Sequence, residues 1–397
     1  MADRTLLDTT AGRVVAGLAA LLVLCVAVGL ALLWPDGSGA RRPAGPPPAA
    51  IERADVLAVE RGGGCESFAG PGCRLAELEL RSGPERGERT FLALAGDRFA
   101  PPVEAGDEIR VARNTREGGE EVPLDDASQA PVAFVDFERT SPLLVLFLVF
   151  VALVVVLGRW HGVRALIGLG LSLAIVVEFL APALLDGRPL VLTALVGALA
   201  VMIVTIVLSH GVGLKSLAAM LGTAGALLLT TLLAVIAVRG ADVTGLSSDQ
   251  AALLLAGVEG GLSLQGLVVA GMVIGALGVL DDVTVSQAST VLALRRANPA
   301  LGFGRLLREA LAVGRDHLGA TVNTLVLAYA GAALPILLIF NTAGTPFGDA
   351  VNREPVAEQV IAMLVGSIGL IAAVPLTTAI AALLATRLPA SAIGASR

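Results

Sequence analysis

The sequence predicts a polytopic α-helical membrane protein with about eight transmembrane helices and a small extracytoplasmic β-barrel-like domain. Hydrophobic residues make up 55% of the 397 residues and charged residues only 16%, whereas a soluble domain is about 25% charged. Eight apolar segments approach or exceed the length that crosses a bilayer core about 30 Å thick. Residues 51–140, after the first of these segments, instead show short alternating runs separated by glycine and proline.

The N-terminal region is predicted to anchor the chain in the membrane. Residues 1–12 form a polar tail that is predicted to be cytoplasmic, and residues 13–34 form the first transmembrane helix, with Trp34 as an interfacial anchor. A cleaved signal peptide is the alternative, because small residues follow the apolar run. Residues 35–50, rich in glycine and proline, are predicted to be an extended linker.

Residues 51–140 are predicted to form the extracytoplasmic β-domain. Its strand-like runs are Ala54–Val59, Leu75–Leu80, Thr90–Leu94, Glu108–Ala112 and Pro131–Phe137. Five short strands of this kind predict a small barrel of the OB or SH3 type. Cys65 and Cys73 are candidates for a disulfide, because this segment is predicted to lie outside the cytoplasm; two free thiols are the alternative. No catalytic constellation is evident in this domain.

Residues 141–397 are predicted to form a membrane domain of seven helices. The apolar segments are Leu143–Leu157, Ala165–Leu185, Val191–Ser209, Ser216–Val238, Leu264–Ser289, Leu318–Phe340 and Val360–Leu384. Arginine and lysine gather in alternate loops, most densely in a predicted cytoplasmic elbow at residues 290–317. In a bacterial-type cell membrane, both termini are therefore predicted to be cytoplasmic and residues 35–140 extracytoplasmic. A short amphipathic helix is predicted in the loop Ala241–Gly260.

The stretch from Gly271 to Ala293 carries the strongest functional signal. At helical spacing one face presents a stripe of small and polar residues, which are Gly271, Gly275, Gly278, Asp282, Ser286 and Ser289. The three glycines are predicted to serve helix packing. An aspartate at the centre of a membrane helix costs about 2.5–3.5 kcal/mol, so the pair Asp281 and Asp282 predicts a function.

Asp282 is predicted to be the main ion or proton site, because it shares the stripe, while Asp281 lies about 100° round the helix. The segment is longer than one span requires. An alternative is therefore that the helix projects into the cytoplasm and that both aspartates cap its wet inner end.

Other polar residues are candidates for the same site. Ser286, Asn323 and Thr324 could offer neutral oxygens to a cation beside the carboxylate, or could hydrogen-bond across helix interfaces. Glu178 is a candidate proton relay or ion ligand, or alternatively a carboxylate near the outer surface. A bound cation is compatible with these groups, and no other cofactor is expected.

The sequence lacks the motifs that are typical of several classes of function. No Walker A, His-Glu-x-x-His or Cys-x-x-Cys motif occurs, and no nucleophile–base pair is evident, so an enzyme is not expected. No basic patch interleaved with aromatic residues occurs, which argues against a nucleic-acid partner.

Two blocks of sequence resemble a known family, the YibE/F-like multi-pass proteins. They are GLVVAGMVIGALGVLDDVTVSQAS (Gly266–Ser289) and GRDHLGATVNTLVLAYAGAALPILL (Gly314–Leu338), and a looser likeness extends from Ala54 to about Thr378. The family pattern has one aspartate, which maps onto Asp282, whereas Asp281 departs from the pattern. The resemblance implies a permease-type membrane protein and does not specify a substrate.

The sequence thus predicts a membrane permease or transporter for, or coupled to, a cation or proton. The alternative is a non-transport sensor or assembly protein of the cell envelope that acts through its β-domain. The expected partners are membrane lipid and a small ion or solute. The small-residue stripes fit packing within one chain or in a homo-oligomer.

Overall fold

The computed structural model describes residues 9–37, 50–62, 65–96, 100–114, 122–124, 130–247, 251, 254 and 263–387. The chain divides into two compact units, one of residues 44–153 and one of residues 1–43 with 154–397. The predictions for most of the N-terminal tail, most of the linker and most of the Ala241–Gly260 helix fall outside the described residues.

Five strands form a closed barrel in the first unit. They are β1 (Ile51–Arg61), β2 (Arg74–Leu80), β3 (Arg89–Leu94), β4 (Glu108–Arg113) and β5 (Val132–Phe137). Their order is β1-β2-β3-β5-β4, with β3 and β5 parallel and the other pairs antiparallel. This is the strand order of an OB-type barrel. Alternate residues such as Val56, Leu78 and Leu92 point inward and fill the core.

The connection from β1 to β2 is closed by a disulfide between Cys65 and Cys73, and both residues are fully buried. One helical turn, Glu66–Ala69, lies between the two cysteines. The backbone N–H of Gly62 donates to the Cys73 carbonyl over 3.0 Å, which continues the pairing of the two strands into the loop.

The other unit is helical, and the helix Thr140–Ala174 begins in the barrel unit and ends in this one. The helices are α1 (Thr10–Leu33), α2 (Thr140–Ala174), a π-helical turn (Ile175–Leu180), α3 (Ala181–Leu185), α4 (Leu190–His210), α5 (Leu214–Gly240), α6 (Leu264–Ala297), α7 (Phe303–Thr342), α8 (Phe347–Asn352) and α9 (Glu354–Arg387). Seven helical stretches in the described part of the chain are long and apolar enough to cross a membrane. Each of the seven apolar segments predicted after the β-domain lies within one of them, and the first helix, predicted at residues 13–34, ends at Leu33.

The longest of these stretches, Thr140–Leu185, contains two helices. Its helical backbone breaks at Arg159, where φ is 50° and ψ is −133°. A Cβ on Gly162 would lie 2.2 Å from the carbonyl oxygen of Val154, so the chain folds back tightly on itself here. The two apolar segments predicted on either side of Arg159 are therefore separate helices, and the described part of the chain has eight long apolar helices when this stretch is counted as two.

Helix α6 lies at the centre of the helical unit and packs against α4, α5, α7 and α9. Leu190 lies beside Gly266 and Thr205 beside Asp281, so α4 and α6 run parallel. Helices α5 and α9 run antiparallel and approach closely: a Cβ on Gly222 would lie 2.0 Å from Thr377 Oγ1.

Helix α6 is continuous over 34 residues, which is about 51 Å at 1.5 Å per residue. The elbow predicted at residues 290–317 is mostly helical, and only residues 298–302 connect α6 to α7. Arg295 explains the tight turn, because its guanidinium donates to the carbonyls of Pro299 and Leu301 in the turn and of Ala385 on α9.

Candidate functional site

Helix α6 carries two polar columns that face in different directions. The inward column consists of Asp281, Thr284 and Gln287, three residues apart, and the last two side chains are buried. The outward column is the small-residue stripe of the sequence, in which Gly271, Gly275, Gly278 and Asp282 are exposed and Ser286 and Ser289 are half-buried. The stripe that was predicted to carry the site therefore faces away from most of the chain's own helices.

Asp281 is the acidic group that the helices enclose. It is half-buried, and its Oδ2 accepts a hydrogen bond from Thr205 Oγ1 on α4 over 3.0 Å. Its Oδ1 is buried and has no hydrogen-bond partner among the described residues. The carboxyl group is thus held at the α4–α6 interface with half of its acceptor capacity unused.

The hydroxyl of Thr205 has more acceptors than it can serve. Its Oγ1 lies 3.0 Å from Asp281 Oδ2 and also 3.0 Å from the carbonyls of Val201 and Met202 in its own helix. A threonine hydroxyl has a single proton, so it donates to one acceptor at a time. The acceptor to which the hydroxyl donates depends on whether Asp281 is ionised or protonated.

Two arrangements follow from this geometry. When Asp281 is ionised, the Thr205 hydroxyl donates to the carboxylate. When Asp281 is protonated, its O–H can donate to Thr205 Oγ1, and the threonine proton returns to a carbonyl of its own helix, the usual partner of a helical threonine. One proton therefore reverses the direction of the bond between α4 and α6.

A pair of buried hydroxyls continues the inward column toward α5. Thr284 Oγ1 lies 2.5 Å from Thr223 Oγ1 and 3.1 Å from the backbone carbonyl of Asp281. Both threonines are fully buried. The turn of α6 that carries Asp281 is thereby tied to α5 as well as to α4.

Gln287 joins three helices in the core, and no prediction from the sequence singled it out. Its Nε2 donates to the Ala310 carbonyl of α7 over 2.9 Å and to Thr378 Oγ1 of α9 over 2.8 Å. Gly314 leaves room for it, because a Cβ there would lie 2.9 Å from Gln287 Oε1. A signal was available in the helical spacing, because Gln287 lies about 140° round the helix from Asp282 and so faces away from the small-residue stripe.

Asp282 faces a different environment from Asp281. It is exposed, and it contributes to the electrostatic surroundings of His210, together with Lys215, Arg164 and His161. Lys215 Nζ lies 3.2 Å from His210 Nδ1. We call this end of the helical unit, marked by His161, Arg164, His210 and Lys215, the basic end. Asp282 lies on the side of α6 that faces it.

The predicted neutral ligands do not gather around Asp282. Ser286 Oγ donates to the Val283 carbonyl and Thr324 Oγ1 to the Ala320 carbonyl, each within its own helix. Asn323 and Thr324 are exposed on α7. Among the hydrogen bonds of the residues that the structure describes, none joins any of these three side chains to Asp282.

Glu178 lies apart from the two aspartates. It is exposed on the π-helical turn. Its neighbours Phe179 and Leu180 pack beside Gly197 of α4, eight residues before Thr205, which is about 12 Å along the helix. In the described part of the chain, no group of three or more His, Cys, Asp or Glu side chains is placed to hold a metal ion.

The packed core extends well beyond Asp281 in the direction of the basic end. Val283, Ala288, Val291 and Leu292 are all buried. Leu292 is eleven residues past Asp281, or about 16 Å along the axis. Asp281 therefore lies within the packed length of α6.

Comparison with known protein families gives a match to the helical part of the chain. A family model described as YibE/F-like protein matches residues 146–387, more than half of the chain. The matched region includes Thr205, Asp281 and Gln287 and excludes the barrel. No curated protein and no solved structure matches the chain significantly.

Proposed function

The chain belongs to the YibE/F-like family, and on the geometry of its helical unit we propose that it is a proton-coupled membrane permease. The contact between Asp281 and Thr205 carries this proposal. An acidic side chain with one enclosed and unpartnered oxygen is costly in an apolar interior. Such a group is typical of sites that take up and release a proton.

The surfaces of the helices support a membrane location. Large apolar side chains are widely exposed, and Leu146 and Leu157 of α2 are 66% and 80% accessible. Exposed apolar area on this scale fits contact with lipid tails. The distribution of arginine and lysine favours the orientation in which the basic end is cytoplasmic.

The donor set around Asp281 fits a proton better than a metal cation. The side-chain oxygens brought together are those of one carboxylate and one hydroxyl. Calcium takes six to eight oxygen ligands, and magnesium requires near-octahedral geometry. A proton needs only one acceptor, and the second arrangement of the Thr205 hydroxyl provides a partner for the protonated acid.

The basic end supplies a route for that proton. His210 lies there, and both His161 and the exposed carboxylate of Asp282 act electrostatically on it. Protonation of Asp281 would then reverse its bond with Thr205 and shift the balance between two packings of α4 against α6. A solute that binds one packing better would be coupled to the proton.

The test uses the full chain in proteoliposomes that contain a pH-sensitive dye. A pH gradient is imposed, and candidate ions and solutes are added outside. Wild-type protein is expected to dissipate the gradient faster with a coupled solute, Asp281→Asn is expected to remove the acceleration, and Asp282→Asn to slow it. Thr205→Ser is the matched control for Thr205→Val, because serine keeps the hydroxyl. Unchanged flux in folded Asp281→Asn would overturn the proposal.

The rival function, an envelope sensor or assembly protein, makes a different prediction. It expects that removal of residues 51–138 abolishes activity, while substitution of Asp281 is tolerated. The permease hypothesis predicts that flux in the same liposomes survives the removal of residues 51–138 and is lost when Asp281 is substituted. The deletion and the substitution together therefore separate the two hypotheses.

A further inference from the structure

A pocket of about 390 Å³ lies on the outer face of the barrel. The residues that shape it are Ala58, Glu60, Leu75, Glu77, Arg89 and Phe91. They come from three neighbouring strands, β1, β2 and β3. Its volume is within the range of small-ligand sites, which is about 300–1,000 Å³.

The strand register explains why these side chains share one face. Ala58 pairs with Glu77, and Glu77 pairs with Phe91, so the three form one row across the strands. Glu60 pairs with Leu75 in the next row of that face. Side chains alternate between the two faces of a strand, and the alternate residues fill the barrel core. The pocket therefore has an apolar floor with an aromatic ring and a rim of charged groups.

One residue that follows β4, Leu124, lies at the edge of the pocket. Its carbonyl accepts a hydrogen bond from Thr90 Oγ1 over 3.2 Å. In OB-type barrels the face of the second and third strands, bordered by the loops after the first and fourth, binds oligonucleotides and oligosaccharides. The pocket occupies that position.

The charges on this face disfavour a polyanion. Glu60 and Glu77 line the pocket, and its one arginine, Arg89, is paired with Glu77 over 3.1 Å. The adjacent row holds Asp55 and Glu79, which share Arg81. An excess of carboxylates repels phosphate groups, whose attraction to Lys and Arg dominates nucleic-acid binding.

The same groups suit a sugar. The ring of Phe91 offers a flat apolar surface, on which the C–H face of a pyranose can stack. The carboxylates accept hydrogen bonds from hydroxyl groups, and the guanidinium of Arg89 donates to hydroxyl oxygens. We propose that the pocket around Phe91 binds an oligosaccharide of uncharged sugars. The distribution of arginine and lysine in the loops predicts that the barrel is extracytoplasmic. The source of the sugar is then a glycan of the cell envelope. This inference does not depend on the transport proposal.

The test is a titration of the full chain in lipid nanodiscs, since detergents with sugar head groups would compete. The probes are a linear tetramer of N-acetylglucosamine and a linear tetramer of glucose, with tetralysine as a basic peptide. Binding is measured by calorimetry. Thermal melting of each variant checks that the barrel is folded.

Wild-type protein is expected to bind at least one tetrasaccharide. Phe91→Ala is expected to weaken binding about tenfold or more, since it removes the apolar platform, and Glu77→Gln to weaken it several-fold. Val135→Ala is the matched control, because Val135 is 43% exposed on β5, outside the pocket, and should bind as wild type. Absence of sugar binding, equal affinity in Phe91→Ala and wild type, or binding of tetralysine alone would each overturn the proposal.

Discussion

Replacing one glycine on α5 tests how closely the helices pack. In Gly222→Ala the new Cβ would lie 2.0 Å from Thr377 Oγ1 and 3.1 Å from Thr377 Cα. A rotation of the threonine removes the first overlap but not the second, because the Cα belongs to the backbone of α9. Overpacking of this kind costs about 1–3 kcal/mol, and alanine returns up to about 1 kcal/mol of helix propensity. We expect a net loss of about 1–2 kcal/mol in the free energy of unfolding.

The matched control is Gly271→Ala on α6. No atom lies within 4 Å of a Cβ at that position, so only the helix-propensity gain of about 0.5–1 kcal/mol remains. Both variants are unfolded in a graded mixture of detergent and dodecyl sulfate and followed by circular dichroism. If Gly222→Ala is as stable as wild type, or if Gly271→Ala is destabilised by a similar amount, the assignment of inward and outward faces is refuted.

Three further perturbations have defined outcomes. Gln287→Leu removes two buried hydrogen bonds and should lower the free energy of unfolding by about 1–2 kcal/mol in the same titration. Replacing both Cys65→Ser and Cys73→Ser opens a loop with a sequence separation of 8 and should destabilise the barrel by about 2.5 kcal/mol, visible as earlier melting of its strands. Hydrogen bonds from the Thr140 hydroxyl, the Arg110 guanidinium and the Thr140 N–H lower the pKa of Glu138 from 4.5 to about 2. The stabilisation is therefore present above pH 4.5 and lost as the pH falls toward 2, and Glu138→Gln should lack this acid-dependent part of the melting profile.

The secondary structure of both units could be predicted because each has a strong local pattern. The run Glu108–Ala112 differs from strand β4 by one residue, and the runs around Ala54 and Thr90 lie within β1 and β3. The order of the strands in the barrel could not be predicted from the sequence in the same way. The parallel contact of β3 with β5, at Leu92 and Val132, depends on bulges and register that no local pattern specifies.

The direction of the α6 faces could not be predicted for a physical reason. Around a membrane helix the lipid is as apolar as the protein interior, so a hydrophobic pattern does not distinguish the inward face from the outward one. Small residues drew attention to the stripe with Asp282, although the longer polar side chains of Asp281 and Gln287 are the ones that reach neighbouring helices. Helical spacing placed Asp281 off the stripe, about 100° from Asp282, but the inward column with Thr284 and Gln287 was identified only in the structure.

The packing of the bundle indicates which contact a proton on Asp281 could change. Helices α5 and α9 meet through Gly222 and Gly369, where the opposing threonines leave no room for a Cβ, so this pair is held at a fixed separation. At the level of Asp281, the described side-chain hydrogen bond between α4 and α6 is the one from Thr205. One hydrogen bond between membrane helices is worth about 0.6 kcal/mol on average, roughly a threefold shift in an equilibrium. Placing an aspartate at the centre of a membrane helix costs about 2.5–3.5 kcal/mol on insertion scales, which corresponds to roughly a hundredfold shift in an equilibrium. The charge of Asp281 therefore contributes more to the equilibrium between the two packings than its bond to Thr205 does. Thr205→Val should slow proton-coupled flux far less than Asp281→Asn.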